Sequence, residues 1–82
     1  MGPQKIIRKV DFELGSVPDS EGLVLEFLDE NEDAFMQIRV NEDNSHQIIF
    51  YRSDEHICFP MSELLKGIEI AKQRVFNVPI DM

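Results

Sequence analysis

The chain changes hydrophobic period once, and that change constrains its fold more than any other feature. From Lys5 to Leu14, Ile6, Val10, Phe12 and Leu14 alternate with Lys5, Lys9, Asp11 and Glu13. This is a strand pattern, with Ile7 and Arg8 as exceptions. Clusters of turn formers follow at Gly15 to Gly22, Asp29 to Asp33, Asn41 to Ser45 and Ser53 to Glu55. Between them lie short apolar-rich runs, and close turns favour an antiparallel meander. Beyond Pro60 the period becomes helical: Met61, Leu64, Leu65, Ile68, Ala71, Lys72 and Val75 fall on one face. Pro60 suits a first helical turn, and Asn77 and Pro79 supply a stop. The expectation is a single α+β domain over 1–82. It has strands near 5–14, 23–28, 34–40, 46–52 and 56–59, then one C-terminal helix over 60–76 packed on one sheet face.

If Leu28 pairs with Ala34 and Val40 with His46, one face carries Val24, Leu28, Ala34, Met36, Ile38, Val40, Ile48 and Phe50. The other carries Leu23, Leu25, Phe27, Phe35, Ile49, Tyr51 and Ile57, diluted by Gln37, Arg39 and Gln47. One helix, about 10–12 Å across, cannot cover both sides of a sheet with strands about 4.8 Å apart. A surplus apolar face is expected, centred on Leu25, Phe27, Phe35, Ile49 and Tyr51, and a homodimer is one way to cover it.

Sixteen Asp and Glu against eight Lys and Arg give a net charge of −8. Free nucleic acid and anionic membranes would be repelled at long range, because the basic residues are scattered along the sequence. No apolar run is long enough to span a bilayer or to serve as a secretion signal. Cys58 is the only cysteine, so no internal disulfide forms, and a reducing, cytoplasmic location is expected. The same residue is expected to be buried, as a small apolar side chain.

Candidate chemistry is sparse. Asp29-Glu30-Asn31-Glu32-Asp33 opens like a calcium loop, but Ala34 stands where Gly is needed and Val40 where the bidentate Glu belongs. His56 and Cys58 share a strand face. With Arg52 opposite His56, His46 would lie about 20 Å away, too far to share a zinc ion. No metal, cofactor or catalytic residue is expected. The strand-then-helix order is similar to that of single-strand-binding coactivator domains. Phe35, Arg39, Tyr51 and Arg52 would be the matching side chains, but net acidity opposes that role.

Alternate turns of a meander share one end, so Asp29, Glu30, Glu32, Asp33, Asp54 and Glu55 should form an acidic rim. The leading expectation is a non-enzymatic module that masks a basic protein surface, as immunity proteins and antitoxins do. The rivals are a coactivator-like dimer on single-stranded nucleic acid and a small ligand-binding or enzymatic domain.

Overall fold

The computed structural model describes residues 4–16, 23–40 and 45–75. The expected loop residues 17–22 and 41–44 and the stop at Asn77 and Pro79 lie outside them. The elements in order are β1 (Gln4–Ile6), β2 (Asp11–Gly15), β3 (Val24–Leu28), β4 (Ala34–Val40), β5 (His46–Phe50), β6 (His56–Cys58) and α1 (Met61–Arg74). Strands β2 to β5 form an antiparallel meander in sequence order, and α1 packs on one face of it. Leu28 is opposite Ala34, and Val40 is opposite His46.

Two departures from the sequence reading share a cause. The expected first strand is divided into β1 and β2, and it breaks at Ile7 and Arg8, where alternation lapses. Strand β6 does not continue the meander opposite Arg52; it pairs in parallel with β1, Lys5 opposite Ile57. The Ile7 N–H extends that pairing to the Cys58 carbonyl (2.8 Å). Ile7 and Val10, between β1 and β2, are then buried in the core. Alternation cannot show this, since two consecutive strands of one chain can belong to different sheets.

A bulge decides which side chains face the helix. Phe27 is opposite Met36 while Leu28 is opposite Ala34, so Phe35 is the extra residue on β4. Counting back from Leu28 without the bulge puts Leu25 and Phe27 on the wrong side. With it, Leu25 and Phe27 join Met36 and Ile38 beneath α1. Phe27 becomes the centre of an aromatic cluster. Its ring meets Phe12 at 5.0 Å, Phe35 at 6.2 Å and Phe59 at 6.3 Å, all edge-on.

The inward stripe of α1 is Leu64, Gly67, Ile68, Ala71 and the capping Val75. Gly67 permits the close approach: a Cβ there would lie 2.2 Å from Phe27 and 2.9 Å from Phe12. Met61 and Leu65, expected on the inward face, are exposed instead. The inward direction centres on Gly67 and Ala71, and Leu65 sits about 160° around the helix from Gly67. Pro60 occupies the N-cap without a side-chain hydrogen bond, while Glu63 accepts from the Val10 N–H (3.3 Å).

Candidate functional site

The loop between β3 and β4 is built around Asp29. Its backbone N–H donates to the Asp33 carbonyl (2.9 Å), and its carbonyl accepts from the Glu32 N–H (2.9 Å). Its Oδ1 accepts from the N–H groups of Asn31 (2.8 Å) and Asp33 (2.9 Å). The Lys5 ammonium holds Oδ2. Glu32 takes the left-handed conformation (φ 66°) that completes such a three-residue hairpin loop, a position where Gly or Asn is usual. Asp29 is thus consumed by the fold and is 1% exposed. It does not stand on an acidic rim.

The other five rim residues, Glu30, Glu32, Asp33, Asp54 and Glu55, are exposed. Lys5 pairs with Asp29 in the first loop and feels the charge of Glu55 in the second. Its pKa is raised first by the hydrogen bond to Asp29, against desolvation, and further by the charges of Asp29, Glu55 and Asp33. Sequence distance hid this partner, since β1 comes alongside only through β6. The Arg8 N–H also reaches Glu30 (3.4 Å). Lys5 thus sets a cation among these acidic residues.

The expected apolar face does not exist as one surface. Leu25 and Phe27 are in the core, and Phe35 packs against Phe59 at 5.2 Å. Ile49 and Tyr51 remain on the sheet face away from α1, where the chemistry is polar. The Tyr51 hydroxyl donates to Glu26 (2.7 Å) and accepts from Gln37 Nε2 (2.5 Å). Arg39 Nε donates to Gln37 Oε1 (2.8 Å). Burial, then the bond to Glu26, raises the Tyr51 pKa. Ile57 lies on β6, outside the main sheet.

Where the chain leaves β5 for β6, an open cleft of about 270 Å³ is lined by aromatic Phe35, Phe50, Tyr51 and Phe59 together with Ser53, Glu55 and Ile57. It is smaller than most small-molecule sites. Cys58 is exposed, contrary to expectation, because β6 is a short edge strand. Both carboxylate oxygens of Asp29 are engaged, which removes the first ligand of the calcium-like sequence. Among the described residues, no three His, Cys, Asp or Glu side chains gather as a metal-holding group.

No family model matches the chain. Comparison with curated proteins and with solved structures also finds no match. Among the described residues, no helix is long and apolar enough to cross a membrane.

Proposed function

We propose that the chain is a non-enzymatic binding module that masks or inhibits a partner protein through a cationic surface on that partner, in the manner of immunity proteins and antitoxins, in the cytoplasm. The observation that supports this reading most is the exposure of Glu30, Glu32 and Asp33 on a loop already held rigid from within by Asp29. Glu55 belongs to the same electrostatic neighbourhood through Lys5, and Asp54, its neighbour in sequence, is exposed as well. A pre-ordered loop loses little entropy on docking, and converging carboxylates steer a basic surface and raise the on-rate. Against the nucleic-acid reading, Phe35 is 5% exposed and cannot stack on a base, and Arg39 and Tyr51 are engaged with Gln37 and Glu26.

The test begins with a partner isolated by affinity capture and produced pure. Changing Glu30, Glu32 and Asp33 to Gln, Gln and Asn should slow association several-fold and flatten its salt dependence. Glu69→Gln on the exposed face of α1 should do neither. Equal effects from both sites, or none from the loop, would dispose of the reading.

A further inference from the structure

The two edges of the main sheet are unlike. Strand β2 carries Asp11 and Glu13, charges of the kind that keep edges apart. Strand β5 has no such protection. From Ser45 to Tyr51 there is no Asp, Glu, Lys, Arg or Pro, and its register with β4 runs without a bulge. Two large apolar side chains stand out from it on the helix-bearing face, Ile48 at 46% exposure and Phe50 at 71%. They are bare because four strands at about 4.8 Å exceed what one helix covers, and α1 lies over Phe27 and Phe12.

The backbone of this edge can be oriented. The Tyr51 N–H donates to the Phe35 carbonyl (3.1 Å). In an antiparallel ladder, bonded and non-bonded pairs alternate. Hence Gln37 with Ile49 is a bonded pair, whereas Met36 with Phe50 and Ile38 with Ile48 are not. The N–H and C=O groups of Ile48 and Phe50 therefore point away from β4, and among the described residues no strand lies beyond β5.

We propose that a second copy of this chain pairs there, β5 antiparallel to β5 of its partner about a twofold axis at Ile49, making one continuous sheet. In that register Ile48 faces Phe50 across the junction, twice by symmetry, and each such pair exchanges two N–H···O bonds. Aromatic beside β-branched is a favourable cross-strand pair. On the other face Ile49 meets its own copy and Gln47 meets Tyr51, so no charge is opposed. Self-complementarity argues for the occupant: one edge supplies both members of the Ile48–Phe50 pair, and β5 is the neutral stretch along which two copies of a chain at −8 can approach. Pairing β5 onto the acidic β2 edge would instead be head-to-tail and open-ended; the twofold arrangement closes.

Sedimentation and light scattering of the full chain at high concentration should give twice its 9.5 kDa mass. Phe50→Glu should give a folded monomer. So should Ile48→Pro, which removes an outward-pointing N–H together with the Ile48 side chain and leaves the hydrogen bonds to β4 in place. In a Cys58→Ser background, Ile49→Cys should cross-link to itself under mild oxidation. Its twofold non-bonded pair brings the Cα atoms to about 4.5 Å, within disulfide range. Ile48→Cys and Phe50→Cys should cross-link far less. A monomeric wild type would overturn the proposal, and Ile48 and Phe50 amides protected from exchange in that monomer would assign the edge to the chain's own residues. A dimer indifferent to both Phe50→Glu and Ile48→Pro, or one that fails to cross-link through Ile49→Cys, would overturn it equally.

Discussion

Asp29 lies at the junction of two problems, a hairpin loop with inward-pointing N–H groups and a lysine arriving from a strand 24 residues away. The hydrogen bond from Lys5 holds its carboxyl below the usual carboxylate range, against burial, with the Asp33 and Asn31 N–H groups adding to the effect. Because the folded pKa is lowered, this contribution is complete above the unfolded-state value of about 3.9 and disappears as pH falls through the folded one. Lys5, raised, contributes fully below about 10.4 and loses its contribution as pH rises through its folded value. The urea midpoint should accordingly fall on the acid side of about pH 4. Asp29→Asn keeps an acceptor for the loop and should flatten that acid limb. Asp29→Ala also strands the loop donors and should cost about 1–2 kcal/mol at neutral pH, as loss of a helix cap does. An acid limb unchanged in Asp29→Asn would show that other carboxylates govern it.

Helix α1 is placed by what Gly67 lacks. A glycine inside a helix ordinarily costs about 1 kcal/mol against alanine. Gly67→Ala should therefore stabilise an isolated helix of this sequence. In the protein it should destabilise by about 1–3 kcal/mol, since the added methyl meets the rings of Phe27 and Phe12, both within 3 Å. Chemical denaturation of Gly67→Ala beside helicity of the matching peptide separates the two effects, and a more stable protein would refute the close-packing account. The bulge in β4 belongs to the same contact. Without Phe35 as the extra residue, Phe27 would face away from α1, and Gly67 would have nothing to approach.

For the whole molecule, the small parallel pairing of β1 with β6 ties residues near the N-terminal end to the residues just before the helix. A chain of 82 residues buries only about 60–65% of the surface its unfolded form exposes and has modest stability, so this closure matters. Ile7, 1% exposed and bonded through its N–H to Cys58, is where the closure enters the core. Ile7→Ala should cost about 2–5 kcal/mol. The Ile7 amide should exchange only with global unfolding, not by fraying. A freely exchanging Ile7 amide in an otherwise protected protein would show that β1 is an accessory to the fold.

The last three strands of the meander, to within a residue or two at their ends, their antiparallel order, the end-to-end pairs Leu28 with Ala34 and Val40 with His46, and the helix at Pro60 were legible in the residues alone. Each depends on local period, turn chemistry or Pro60, all of which act over a few neighbouring residues. The acidic loops were legible too, as sequence. What lies within them was not: Lys5 reaches Asp29 only because β1 and β6 pair across the length of the chain. A bulge is likewise silent in a hydrophobic pattern, since one extra residue exchanges the faces of everything before it without altering the alternation. Leu25 and Phe27 went into the core on that single residue, and the apolar surplus moved to Ile48 and Phe50. Period is a property of the strand, whereas facing, burial and partnership are properties of what the strand packs against.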